Sequence, residues 1–200
     1  MLTIIQSGLR KILELFYNSR NSLFHVREIS RKTGLNQNSA VRFLHQLEKE
    51  KILTSQKDGN LKKYQLKKSY SAYQILTVLD IEKFRKLPVI KQQAIELFLD
   101  SLPEQPIIAI LFGSTARNTY KENSDLDILL IVNNKIDTKE AIRKADVQAA
   151  QIISDFQITF PEFVKELKLK EDHVIQSALQ TGYPLTNHIL YYRCMYHERV

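Results

Sequence analysis

The sequence predicts an α+β protein in two parts, and three observations carry that prediction. Positive charge is concentrated at the start, with 14 Lys/Arg against 5 Asp/Glu in residues 1–70, a local balance of +9. A helical pattern in the same stretch closes with two short strand-like runs. Further on, two apolar runs of strand length flank a Gly-Ser pair and an Asp-x-Asp triplet. At 200 residues, 44 % hydrophobic and 26 % charged, the chain has room for one ordinary domain and a small second one. No stretch approaches the ~20 apolar residues of a membrane-spanning helix. The first residues lack a basic segment ahead of an apolar core, so no secretory signal is read. Cys194 is the single cysteine, which excludes an internal disulfide and a multi-thiolate zinc site. The expectation is a soluble cytoplasmic protein with no membrane partner.

In the first part, Ile5, Leu9, Ile12, Leu13 and Phe16 share one helical face. A polar break from Asn18 to Ser22 leads to a short helix, Val26 to Thr33, closed by Gly34 in a left-handed turn. Asn36 is a good cap for a third helix, whose buried stripe is Ala40, Val41, Leu44 and Leu47. Its other face carries Gln37, Asn38, Ser39, Arg42 and Gln46, side chains able to reach base edges and phosphates. The runs Ile52–Ser55 and Leu61–Leu66, around Asp58-Gly59, read as a β-hairpin. This order over about 65 residues resembles a winged helix-turn-helix. The resemblance implies that the third helix enters the major groove of double-stranded DNA, while Lys57, Lys62 and Lys63 on the wing touch phosphate. Lys51 stands where such sequences often carry glycine and must tolerate an awkward backbone angle.

Residues 71–105 read as a helical connector, with amphipathic runs at Tyr73-Leu76-Leu79 and Ile95–Leu99, and Pro88 between them. The domain boundary is expected within 70–90. Residues 106–200 form the second domain. There Ile107–Phe112 is an apolar strand halted by Gly113-Ser114, and Asp125-Leu126-Asp127 opens the next, Ile128–Val132. Residues two apart share a strand face, so Asp125 and Asp127 project together. Two adjacent carboxylates at an apolar sheet edge call for a cation between them, and Mg²⁺ favours such oxygens together with phosphates. The Gly-Ser turn offers backbone N–H groups and a hydroxyl to phosphate.

Gly-Ser, ten residues, then Asp-x-Asp resembles the polymerase-β-like nucleotidyltransferases, in particular the minimal, antitoxin-type members, over about residues 90–190. The resemblance implies that Gly113 and Ser114 hold phosphates of a nucleoside triphosphate, taken as ATP, with Arg117 neutralising charge. It implies that Asp125 and Asp127 bind two Mg²⁺ ions for transfer of a nucleoside monophosphate to an acceptor hydroxyl. Asn118 stands where many relatives have glycine. A third carboxylate on a later strand completes the active members. The preferred register puts Gln157 at that position, and Asp155 supplies the acid if the strand is shifted by two residues. Tyr191, Tyr192 and Tyr196 are read as closing a core edge, and His173, His188 and His197 show no metal-ligand spacing.

Two functions follow. One is a DNA-binding nucleotidyltransferase, antitoxin-like, acting on a separate helical toxin-like protein. The other is a catalytically weak nucleotidyltransferase fold that senses nucleotide or holds a homodimer within a transcriptional regulator.

Overall fold

The computed structural model describes residues 7–121 and 124–196; Ile5 and His197 lie outside them. The chain divides into two compact units, Met1–Leu79 and Asp80–Val200.

The first unit opens with α1 (Ser7–Asn18), which buries Ile12, Leu13, Phe16 and Tyr17. The two-residue strand β1 (Phe24–His25) leads into α2 (Val26–Thr33) through a capping box. His25 Nδ1 accepts the Glu28 N–H at 3.3 Å, and Glu28 accepts the His25 N–H at 3.0 Å. Gly34 ends α2 at φ +69°, the left-handed angle that its missing Cβ makes cheap. Asn36 then caps α3 (Gln37–Lys49) by accepting the Ser39 N–H at 2.8 Å. Phe43 joins Ala40, Leu44 and Leu47 in the buried stripe, while Val41 is only half-buried. The wing is β2 (Leu53–Asp58) and β3 (Leu61–Leu66), joined at Gly59-Asn60, with β1 pairing the other edge of β3. Lys51, just before it, sits at φ +61°, the strained angle its position demands.

Helix α4 (Tyr70–Arg85) runs across the division between the units, and α5 (Val89–Asp100) follows Pro88. Of the expected connector, α5 is a core helix of the second unit: Ala94, Ile95 and Phe98 are buried in its main apolar cluster. Strand β4 (Ile108–Phe112), the short helix α6 (Gly113–Arg117) and β5 (Leu126–Val132) come next. They are followed by α7 (Lys139–Ala149), β6 (Ile153–Thr159), α8 (Phe160–Leu169) and α9 (His173–Thr181). The two-residue β7 (Tyr183–Pro184) and α10 (His188–Met195) complete the unit.

The sheet order is β6-β5-β4-β7, with β5 and β6 parallel and the remaining pairs antiparallel. Alternation divides its residues between two faces. Leu126, Ile128, Leu130 and Val132 join Ala109, Leu111 and Ile153 against α5 and α7. Asp127 and Leu129 lie on the other face, with Phe112 of β4 and Ser154 and Phe156 of β6. Phe163, Leu167, Ile175 and Ala178 of α8 and α9 are buried apart from the first cluster. Tyr191 and Tyr192 are fully buried, edge to face with centroids 5.1 Å apart, and the Tyr192 hydroxyl donates to Asp80 at 2.7 Å. They close the core, as their terminal position suggests.

Candidate active site and nucleic-acid interface

The site in the second unit starts from a strand that stops abruptly. After the fully apolar β4, Gly113 turns the chain at φ +68° into α6. A Cβ at this position would meet Asp127 Oδ2 at 1.9 Å and its Cγ at 2.8 Å. Two requirements therefore converge on glycine: the backbone angle, and the carboxylate that occupies the space of a side chain. The antiparallel register produces this approach, because Asp127 pairs with Phe112, the residue before the glycine.

Asp125 lies just before β5 and is exposed, while Asp127, two residues on, is half-buried on the same face. Burial pushes the Asp127 carboxyl above the usual carboxylate range, the Asp125 charge pushes it further, and Arg117 opposes both. Arg117 is exposed on the last turn of α6. Asn118 follows at φ +58°, an angle asparagine tolerates better than most residues. Ser154 pairs with Asp127 across the parallel ladder, and its hydroxyl lies 3.4 Å from Asp125 Oδ2.

Asp155 and Gln157 do not join this pair. Their registered partners on β5 are Ile128 and Leu130, so both side chains leave the sheet on the opposite face. There Gln157 donates to Asp155 Oδ2 at 3.1 Å, and it both accepts from and donates to the Ile136 backbone at 3.0 Å. The expectation of Asp155 as a catalytic acid is corrected by geometry: a shift of two residues preserves the face, and here that face is the wrong one. Beside Asp125 and Asp127, β6 presents Ser154 and Phe156. Among the described residues no group of three His, Cys, Asp or Glu side chains can hold a metal. The carboxylate pair, held against the glycine and repelling each other, has the chemistry that suits a hard divalent cation.

Sequence reasoning missed Lys91. It is 3 % exposed, and its ammonium donates to the Ser124 carbonyl at 3.1 Å and to Gln151 Oε1 at 2.8 Å, lying 5.0 Å from the Tyr120 ring centre. One buried cation thus ties together the loop after α6, the residue before Asp125 and the approach to β6. Burial lowers its affinity for a proton, and Asp125 opposes that effect. The signal was present: Lys91 falls on the stripe it shares with Ala94, Ile95 and Phe98.

In the first unit, α3 exposes Gln37, Asn38, Arg42 and Gln46, with Ser39 half-buried at its first turn. The Arg42 guanidinium lies 4.9 Å from the Phe43 ring centre, and Gln46 donates to Glu50 at 3.0 Å. On the wing, Lys62 pairs with Glu48 of α3 at 2.8 Å and Lys63 with Asp58 at 2.5 Å. Glu48 also accepts the Ser55 hydroxyl. Lys57 is exposed beside Lys62 in the ladder. The acids that hold two of the three wing lysines were not foreseen.

Residues 91–186 match the family model of the nucleotidyltransferase domain, and residues 10–57 match that of the IclR helix-turn-helix domain. The chain carries a nucleotidyltransferase domain behind an IclR-type helix-turn-helix. The nucleotidyltransferase match starts at Lys91, so α5 falls within that domain. No curated protein matches the chain. A solved structure of TrmBL2, described as an archaeal chromatin protein with a novel mode of DNA binding, is 16 % identical over 82 % of this chain and 75 % of its own. Its TM-score of 0.24 is too low to support an argument from fold. Among the described residues, no helix is long and apolar enough to cross a membrane.

Proposed function

We propose that the nucleotidyltransferase domain binds a nucleoside triphosphate with one Mg²⁺ at Asp125 and Asp127, and that the chain is a nucleotide-responsive DNA-binding regulator. The observation behind this reading is the face of β6: Ser154 and Phe156 stand beside the two aspartates where a third carboxylate would be needed. The rest of the phosphate corner is intact. Gly113 leaves room for Asp127, Ser114 supplies a hydroxyl, and Arg117 lends positive charge from α6.

When bound, Mg²⁺ neutralises phosphate charge and polarises the phosphorus–oxygen bonds. The chain's own residues bind and orient. Asp125 and Asp127 fix the triphosphate's cation, and Lys91 holds the segment carrying Asp125. Ser154 gives Asp125 a neutral hydrogen bond in place of a further negative charge. No described carboxylate on this face stands ready to take a proton from an acceptor hydroxyl, so transfer is slow relative to binding. In the helix-turn-helix, Gln37, Asn38, Ser39, Arg42 and Gln46 face the major groove, with Lys57, Lys62 and Lys63 of the wing over phosphate.

The second reading keeps full transferase activity, with Mg²⁺-dependent modification of a separate helical protein. The intact Gly113-Ser114 and Asp125/Asp127 constellation favours it. One experiment separates the two: the full chain is titrated with Mg²⁺ and each nucleoside triphosphate, and release of pyrophosphate is followed with DNA and with protein acceptors. Tight Mg²⁺-dependent binding that Asp127→Asn abolishes, with turnover far below once per minute, supports the regulator. Rapid pyrophosphate release lost in the same variant replaces it with the enzyme, and nucleotide binding that ignores Asp127→Asn removes both.

A further inference from the structure

Strand β6 is an edge of the second sheet, since the order β6-β5-β4-β7 gives it one neighbour. Its ladder with β5 runs unbroken from Leu126–Ile153 to Val132–Thr159, without a bulge. The Leu126 N–H donates to the Ile152 carbonyl at 2.9 Å, so the main-chain groups of the even-numbered β6 residues face β5. Those of Ile153, Asp155 and Gln157 therefore point outward, and no described residue bonds them there. The open stretch ends at Thr159, whose N–H donates to Glu162 Oε2 at 3.0 Å.

An unpaired strand edge is a hazard that the other described edges avoid. β1 and β7 are two residues long, and β7 contains Pro184. β2 carries Lys57 and Asp58. β6, in contrast, has seven residues, no proline and Asp155 as its single charge. No lysine or arginine occurs between Lys144 and Lys165, in a chain that has 29 of them. Two large apolar side chains stand in water at this edge, Phe156 at 39 % exposure and Ile152 at 57 %. Beside Ile152, a depression of about 340 Å³ is lined by Lys139, Arg143 and Asp146 of α7. An edge so long, and so free of lysine, suits addition of a further strand.

We propose that β6 pairs antiparallel with β6 of a second copy, joining two four-stranded sheets about a two-fold axis that passes between the two Phe156 residues. Antiparallel bonding sets outward residue against outward residue, which confines the axis to whole-residue positions. Centred on Ser154 it sets Asp155 against the apolar Ile153, and centred on Asp155 it sets two carboxylates face to face. Beyond Phe156 it brings Pro161, which has no N–H, into the ladder. Centred on Phe156, it places each Asp155 opposite Gln157 of the second copy, exchanging both main-chain bonds, and sets the two phenylalanines side by side. Helix α7 then runs antiparallel to its counterpart on one side of the joined sheet, and Lys139 and Arg143 meet Asp146 of the second copy. Unlike charges matched by a single axis favour a copy of this chain over an unrelated strand. The pairing gives the homodimer of a transcriptional regulator a named surface, and brings two helix-turn-helix units to one duplex.

The test is sedimentation of the full chain across a concentration series, where the unaltered protein forms a concentration-dependent dimer. Asp155→Pro removes an outward N–H and leaves the β5 ladder whole. The melting temperature survives, and dimerisation weakens by at least about tenfold, the scale of the main-chain bonds lost. Phe156→Lys has the same effect by setting two cations face to face. Phe156→Cys locates the axis: facing residues of a non-hydrogen-bonded antiparallel pair lie within disulfide reach, so mild oxidation links two copies. Ser154→Cys and Ile158→Cys stay unlinked, and Cys194, 3 % exposed, is too buried to interfere. A monomer at every concentration overturns the interface, as does a dimer that Asp155→Pro and Phe156→Lys both leave intact. A dimer broken by these variants whose link forms at Ser154 or Ile158, or not at all, overturns the axis. If Asp155→Pro lowers the melting temperature, Phe156→Lys and the link at Phe156 decide.

Discussion

The Lys91 ammonium donates to the Ser124 carbonyl, one residue before Asp125, from a position 3 % exposed in the core of the nucleotidyltransferase domain. A cation so placed anchors the segment that presents the first aspartate, and holds Gln151 ahead of β6 by the same means.

Lys91→Met keeps the apolar stem but leaves the Ser124 carbonyl and the Gln151 amide oxygen without their donor. The expected loss is about 1–3 kcal/mol of stability, the cost of stranding buried acceptors. Urea denaturation of the full chain, followed by tyrosine fluorescence, measures it. Because the same bond steadies Asp125, Mg²⁺-dependent nucleotide binding weakens as well. A variant that loses stability but binds Mg²⁺-nucleotide as before limits Lys91 to packing.

Gly113→Ala adds one methyl group in the space of the Asp127 carboxylate, at a backbone angle that L-residues rarely adopt. The carboxylate must move, and Mg²⁺-dependent triphosphate binding falls by more than about tenfold, the scale set by an angstrom-sized misplacement. Alanine at Asn118, also at positive φ but away from the carboxylate, costs stability of only about 1 kcal/mol. Comparing the two by calorimetry separates backbone strain from displacement of the aspartate.

The raised Asp127 carboxyl has a definite pH signature. Its affinity for a proton is higher folded than unfolded, chiefly through burial and then through Asp125. Stability from this group is present below the unfolded value and is lost as pH rises through the folded one. Asp127→Asn therefore raises the melting temperature of the metal-free protein near neutral pH, and the gain shrinks toward pH 4. Mg²⁺ raises the melting temperature of the unaltered chain but not of the variant. Equal gains at both pH values would contradict the assignment.

On the wing, Lys62 and Lys63 are engaged by Glu48 and Asp58, and Lys57 is exposed. If the wing lies over phosphate, Lys57→Ala reduces the dependence of log affinity on log salt by about one, the release of one counterion. Glu48→Gln frees Lys62 and strengthens binding to any duplex, because a phosphate contact carries no sequence information. Filter binding to random duplexes across a salt series reads both effects. Unaltered affinity in both variants directs the wing to a protein partner.

Local chemistry made much of this molecule legible in its sequence. Gly34, Asn36 and the Asp58-Gly59 turn specify backbone angles and caps through their own atoms, so the elements of the helix-turn-helix stand where those residues predict. The Gly-Ser and Asp-x-Asp pair was readable for a related reason: side chains two apart on a strand share a face whatever surrounds them. Asp155 and Gln157 show the limit. Their own alternation was correctly read, but which face they occupy depends on the parallel register of β6 against β5, a long-range property fixed by the whole sheet. The same register brings Phe156 to the aspartate edge. Lys91 reaches Gln151 across 60 positions of chain, and Lys62 reaches Glu48 across 14. The sequence by itself determined the elements, their punctuation and the aspartate pair, because these follow from covalent geometry and near neighbours. Only the tertiary structure decided which groups face that pair, because register and burial are settled by the packing of segments far apart in the chain.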